Sequence, residues 1–174
     1  RGLKDYQGAI SDFTKIIEID PNNIRIIRLR GLSRFKLKDY QGAISDFTTA
    51  INKNPNHPSV EVTYSFRGNW FAILNDFESA CNDWNKASSL RDASSTKKLK
   101  KFQCEKIFLQ RGLRNSQLKD YQGSISDFTT AININPNHTG IEITYYIRGN
   151  LFSILKDFES ACNDWNKASS LGDD

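Results

Sequence analysis

An all-α solenoid of stacked helical hairpins is the fold this sequence predicts, and three observations predict it. The block DYQGAISDFT at 5–14 returns at 39–48 and, with one change, at 120–129, while a cousin, DFESACNDWN, occupies 76–85 and 157–166. The leading aspartates Asp5, Asp39, Asp76, Asp120 and Asp157 are 34, 37, 44 and 37 residues apart, a spacing of repeated two-helix units that bury their apolar faces by stacking on neighbours. Each block also sets a small residue (Ala9, Ala43, Ala80, Ser124, Ala161) four positions before an aromatic (Phe13, Phe47, Trp84, Phe128, Trp165). Four residues apart on a helix is the same face, where the small residue admits another backbone and the ring fills the space.

Taken in order, residues 1–22 read as the second helix of a partial repeat, and 23–57 and 58–92 as complete repeats. Residues 93–104 read as a cap-like basic helix, and 105–138 and 139–174 as two further repeats. Pro21, Pro55 and Pro136, each after Asp or Asn, stop the second helix of their units, because the residue before a proline is pushed out of the helical region. Asp92 and Asp173 stand where the other two units lack that proline. In the segment ASSTKKLKKFQC at 93–104, Leu99 and Phe102 share one face and Lys97, Lys98, Lys100 and Lys101 take the others. No proline interrupts the run from Cys104 to Leu113, so the cap is expected to run directly into the next helix, which accounts for the one long spacing.

A second period overlies the first. Residues 30–92 match 111–173 at an offset of 81, with roughly three quarters of positions identical, the mark of a duplicated two-repeat cassette. The chain has no Met, and Arg1 falls partway through a helix, so a fragment of a longer protein is expected.

Composition narrows the function classes. With 25% charged residues and mean hydropathy −0.57, no stretch is apolar and long enough to span a bilayer. The chain holds 24 Lys+Arg against 20 Asp+Glu, and the stretch 97–106 alone supplies five Lys and one Glu, so the positive excess is local to the cap. Its aromatics are at core spacing and no basic stripe runs along the array, which weighs against a nucleic-acid partner. His57 and His138 occupy equivalent positions after Asn-Pro-Asn, with no carboxylate or cysteine at ligand spacing. They read as repeated loop residues, with no metal and no cofactor implied. Phosphate-binding, nucleophile-elbow and zinc-protease motifs are absent from the sequence, so an enzyme is not expected. An Arg-Gly pair precedes each complete block (Arg30, Arg67, Arg111, Arg148) and an Asp precedes each aromatic (Asp46, Asp83, Asp127, Asp164). The arginines read as partners of those carboxylates, tying helices together, in preference to a row of ligand-binding side chains.

In its small–small–aromatic–small–Pro series, carried by five partial or full copies in 34-residue register, the chain resembles the tetratricopeptide repeat (TPR) family, in a bacterial-type array. The resemblance implies a right-handed superhelical solenoid of helix-turn-helix repeats. It also implies a protein–protein interaction scaffold that binds a peptide segment of a partner in a concave groove lined by the first helices. That lining would include Arg25, Arg28, Leu32 and Phe35, then Ser65 and Asn69 with Val62 and Ala72. It would continue through Lys106, Leu109 and Leu113 with Ser116, and through Tyr146 and Asn150 with Ile143 and Ser153. Asn69 and Asn150 are expected to face solvent, each offering an amide to a peptide backbone. Trp84 and Trp165 are expected to be core wedges. The alternative is a structural module that self-associates end to end. Neither reading identifies the protein or peptide partner.

The three cysteines leave two possibilities open. Cys81 and Cys104 are centred on the turn at 91–95, so an antiparallel helix pair would set them level and allow a disulfide, with Cys162 left over. Alternatively all three are reduced, small core residues. The first implies an exported protein and the second a cytoplasmic one.

Overall fold

The computed structural model describes residues 5–172. Among them are ten α-helices and no strand: α1 (Tyr6–Ile19), α2 (Ile24–Lys36), α3 (Tyr40–Lys53), α4 (Val60–Ile73), α5 (Phe77–Ser89), α6 (Ala93–Lys101), α7 (Cys104–Gln117), α8 (Tyr121–Ile134), α9 (Ile141–Ile154) and α10 (Phe158–Gly172). The fold is an all-α helical-repeat solenoid. The chain divides into two compact units, 1–96 and 97–174, the division falling inside α6. Within the first unit α1 to α5 pack each on the next, and within the second α7 to α10 do the same. Asp173 and Asp174 lie outside the described residues, as does Arg1.

The recurring aspartates have a double structural role. The side chains of Asp5, Asp39, Asp76 and Asp120 accept from the backbone N–H three residues on, at Gly8, Gly42, Ser79 and Gly123, and Asp157 accepts from Ser160. Each therefore N-caps the second helix of its hairpin. In the four complete hairpins the preceding residue, Lys38, Asn75, Lys119 or Lys156, is left-handed at φ 62 to 63. The aspartate's own N–H then reaches five residues back, for example Asp39 to the Arg34 carbonyl at 2.9 Å and Asp76 to the Phe71 carbonyl at 3.0 Å. That bond closes the preceding helix in a Schellman-type turn. Asp92 behaves identically: Arg91 before it has φ 75, its N–H bonds the Ala87 carbonyl at 3.0 Å, and its carboxylate accepts from the Ser95 N–H at 2.9 Å. It heads α6 rather than standing in for a missing proline. Where proline is present, α1, α3 and α8 end at Ile19, Lys53 and Ile134, just ahead of the Asp-Pro or Asn-Pro pair.

The cap helix does not run into the next one. α6 stops at Lys101, and Gln103, at φ 51, separates it from α7; a left-handed residue cannot continue a right-handed helix. Phe102 consequently lies past the helix end and is exposed, while Leu99 is buried.

Each complete hairpin is held by the same four residues. The Arg30, Arg67, Arg111 and Arg148 guanidiniums pair with Asp46, Asp83, Asp127 and Asp164, all at 2.5 to 2.7 Å. The glycine after each arginine faces the aromatic after each aspartate: a Cβ built at Gly31, Gly68, Gly112 or Gly149 would stand 2.7 to 2.9 Å from the ring of Phe47, Trp84, Phe128 or Trp165. Only a residue without a side chain lets the two helices approach this closely. Three of the arginines also reach back to the preceding hairpin or helix, Arg30 to Thr14 at 3.2 Å, Arg67 to Thr48 at 2.8 Å and Arg148 to Thr129 at 2.8 Å. The guanidiniums are thus committed to stacking register and do not form a ligand-binding row.

The two cores differ. In the first unit Phe47 and Trp70 meet edge to face at 4.5 Å, with Phe35 stacked on Trp70 at 5.4 Å and Phe66 at 6.1 Å. In the second the corresponding positions hold Phe128, Leu151, Ser116 and Ile147, and the core is Ile125, Phe128 and Leu151, with Leu109 and Phe152 against it.

Candidate peptide-binding surfaces

The side chains read from the sequence as a groove wall fall into three environments. Some are spent on the fold. Asn69 Oδ1 accepts from Trp84 Nε1 at 3.1 Å, and Asn150 Oδ1 accepts from Trp165 Nε1 at 3.0 Å. The expectation that both amides face solvent is therefore corrected: an indole N–H lodged against a neighbouring helix needs an acceptor, and these asparagines provide it. Ser65 is likewise engaged, its hydroxyl 3.0 Å from that of Ser95, so the first turn of α6 sits over it. Phe35 is half-buried, packed with Leu32 on the cluster of Ala43, Ile44, Phe47 and Trp70.

A second set forms a real concavity in the first unit. Arg25, Arg28 and Leu32 from α2 come together with Leu29 and with His57, from the loop after α3, around a cleft of about 250 Å³. Among the described residues neither Arg25 nor Arg28 is in an ion pair or hydrogen bond, whereas Arg30 and Arg34 from the same helix both hold Asp46. The cleft is therefore cationic with an apolar wall. The loop residue His57 accepts at Nδ1 from the Ser59 N–H at 3.1 Å.

In the second unit the equivalent place is lined by Lys106, Leu109, His138 and Glu105, with Asn135 and Asn137, around about 270 Å³. There Leu109 replaces Arg28, and His138 is buried, its ring nitrogens meeting the Asn135 carbonyl at 2.8 Å and the Thr144 hydroxyl at 3.0 Å. Glu105, also buried, accepts from Asn135 Nδ2 at 3.4 Å. One geometric site thus has a cationic version in the first cassette and a mixed, neutral-leaning one in the second. Leu113 remains exposed on α7.

The third environment lies between α9 and α10. Tyr146, Ile143 and Asn150 line a groove of about 540 Å³ with Glu142, Trp165 and Ala168. Tyr146 is 56% exposed, and Trp165 is only half-buried. Trp84, by contrast, is 1% exposed and is the wedge it was expected to be. Cys81 and Cys104 are both fully buried, while Cys162 is free and exposed. Among the described residues no group of His, Cys, Asp and Glu could hold a metal ion, and no helix is long and apolar enough to cross a membrane.

Residues 29–57 and 1–23 each match a family model described as tetratricopeptide repeat. The chain carries tetratricopeptide repeats. No curated protein matches it at a significant level. Solved structures with a similar course include MamA, at 18% identity over 95% of this chain and 88% of that one, with a TM-score of 0.48. The TPR2AB domain of yeast Sti1 in its pHSP90 complex matches at 18% identity over 94% and 69%, with a TM-score of 0.47. YrrB, a TPR protein with an unusual peptide-binding site, matches at 16% identity over 98% and 79%, with a TM-score of 0.47. Tetratricopeptide repeats are typically non-catalytic scaffolds, and this TPR chain is a protein-interaction scaffold in that general sense.

Proposed function

We propose that the TPR chain binds an extended segment of a partner protein along the first helices of its repeats, and that the first unit selects an acidic group on that segment. The observation that carries this reading is the cleft of Arg25, Arg28 and His57 against Leu29 and Leu32. Two guanidiniums without a protein carboxylate, side by side on one helix, repel one another until an anion is shared between them. The adjoining leucines offer contact to an aliphatic neighbour of that anion. A glutamate or aspartate next to an apolar residue, or a carboxy-terminal carboxylate, has this chemistry. Lys106 and Leu109 line the equivalent cleft of the second unit, and there a less acidic stretch would fit.

The test is selection of binders from a random displayed-peptide library on the whole chain, followed by anisotropy titrations of the peptides obtained. Acidic-apolar peptides should dominate, their affinity should fall with added salt, and the double substitution Arg25→Ala, Arg28→Ala should abolish binding with helix content unchanged. Peptides without acidic residues, or undiminished binding to the double variant, would refute the reading.

A further inference from the structure

The two cassettes build one cleft with different charge. At the offset of 81, Arg25, Arg28, Asn54 and His57 correspond to Lys106, Leu109, Asn135 and His138, and Ile24 corresponds to Glu105. The second cleft is neutralised from within. Glu105 lines it together with Lys106 and holds Asn135, and both ring nitrogens of His138 are occupied, by the Asn135 carbonyl and the Thr144 hydroxyl. The first cleft lacks that carboxylate. α4, α7 and α9 carry Glu61, Glu105 and Glu142 in their first turns at one repeat register, where α2 carries Ile24 and no acidic residue. The residues lining the α2 cleft bring two guanidiniums and no carboxylate, and among the described residues neither Arg25 nor Arg28 is in an ion pair or hydrogen bond. His57 gives Nδ1 to the Ser59 N–H. A neutral imidazole that accepts at Nδ1 carries its proton at Nε2, so the ring keeps one donor for a ligand.

We propose that the anion selected by the α2 cleft is a phosphorylated serine or threonine of the partner segment, so that binding is switched on by modification of the partner. The inference rests on the cleft being the seat of an acidic group, and narrows it. A carboxylate has one charge and two oxygens, which a single guanidinium satisfies in a bidentate pair; the second arginine would be left without a partner. A phosphate monoester carries about −1.5 to −2 charges near neutrality and three acceptor oxygens, which match two guanidiniums and one imidazole N–H. Leu29 and Leu32 then contact an apolar residue beside the phosphorylated one. The second cleft, with Glu105 in place and His138 closed, would repel a dianion.

The test uses the whole chain and three labelled pools of short peptides, random at every position except a central one that is phosphoserine, Glu or Ser. In anisotropy titrations the phosphoserine pool should bind about tenfold more tightly than the Glu pool, the step expected from one further charge-assisted hydrogen bond, and the Ser pool should bind more weakly than either. Arg25→Lys with Arg28→Lys keeps the charge but removes the planar forks, and should bring the phosphoserine pool down to the affinity of the Glu pool. Ile24→Glu restores the carboxylate that the other three repeats carry at this register and should do the same, with helix content unchanged in both proteins. Equal affinity for the phosphoserine and Glu pools, both above the Ser pool, would overturn the phosphate assignment and leave the acidic reading standing. No preference of either over the Ser pool would overturn both. A phosphoserine preference that survives the lysine pair or Ile24→Glu would also refute the proposal. So would displacement of the phosphoserine pool by an equimolar amount of inorganic phosphate, which would make a free anion the ligand.

Discussion

Replacing Asn69 tests the most specific bond in the hairpins. Trp84 is 1% exposed, and its indole N–H meets Asn69 Oδ1 at 3.1 Å. Asn69→Leu removes the acceptor in a place where little water can substitute, so the substitution should destabilise by about 1–3 kcal/mol, the penalty of an orphaned buried donor. The chain contains its own control. Fifteen residues before Trp84 and Trp165 stands an asparagine, Asn69 or Asn150, and fifteen before Phe47 and Phe128 stands a leucine, Leu32 or Leu113. Asn69→Leu combined with Trp84→Phe therefore recreates the pairing used in the other hairpins. Trp84→Phe alone should cost about 1–2 kcal/mol for the space left and the amide stranded. The double variant should be more stable than the sum of the singles by about 1 kcal/mol, a coupling of the size found between touching residues. Urea titrations followed by far-ultraviolet circular dichroism, on the four proteins of the cycle, measure it. Strict additivity, or an Asn69→Leu protein as stable as the parent, would refute the reasoning. Asn150→Leu is the internal comparison: Trp165 is half-buried, water can reach its indole, and the cost should stay below about 1 kcal/mol.

Further outcomes follow from the same contacts. Arg67→Ala strands the Asp83 carboxylate, whose pKa burial already raises in spite of the hydrogen bond and charge of Arg67. It should cost about 3–5 kcal/mol near neutrality. Because a raised folded pKa means that the native state binds the extra proton, that cost should shrink as pH falls toward the ordinary carboxylate range, read from denaturation midpoints at several pH values. Asp92 moves the other way. Burial opposes its charge, but hydrogen bonds from the Ser95 and Ser65 hydroxyls and the Ser95 and Ser94 N–H groups outweigh it and lower the pKa. Asp92→Asn should lose about 1 kcal/mol at neutral pH, a difference that vanishes as pH falls through the lowered value. Gly68→Ala, which sets a Cβ 2.9 Å from the Trp84 ring, should cost about 1–3 kcal/mol by overpacking. We propose that Cys81 and Cys104 pair with each other. Thiol titration of unfolded, unreduced protein should then find one free thiol, mapped to Cys162, and three free thiols would overturn the pairing.

The fold was legible because repetition turns weak local signals into a strong one. A small residue and an aromatic four apart mean little once, and much when five copies share a register. The Arg–Asp pairs were legible for the same reason. What escaped was the work done by residues whose function depends on a partner across space. The aspartates marked the period, but their capping role lies in a backbone bond five residues back, which composition does not reveal. Asn69 and Asn150 fell at groove positions and were given a groove role. The available signal was that asparagine accompanies tryptophan and leucine accompanies phenylalanine in this very chain. Phe102 matched the face of Leu99 only on the assumption that the helix continued, and Gln103 breaks it. His57 joined the arginine cleft because a loop brought it there, and no helical periodicity encodes a loop.

The double role of the aspartates at 39, 76, 120 and 157 decides where this chain can accept foreign sequence. Within a hairpin, one residue ends the first helix with its N–H and starts the second with its carboxylate, so the bend has no spare residue, and an insertion of even one amino acid separates the two bonds. Between hairpins, after Pro55 and Pro136, the chain passes through Asn-His and then Pro58-Ser59 in one cassette and Thr139-Gly140 in the other. Those crossings are already the variable joints, and an epitope, a fluorophore site or a whole domain belongs there rather than at the bends.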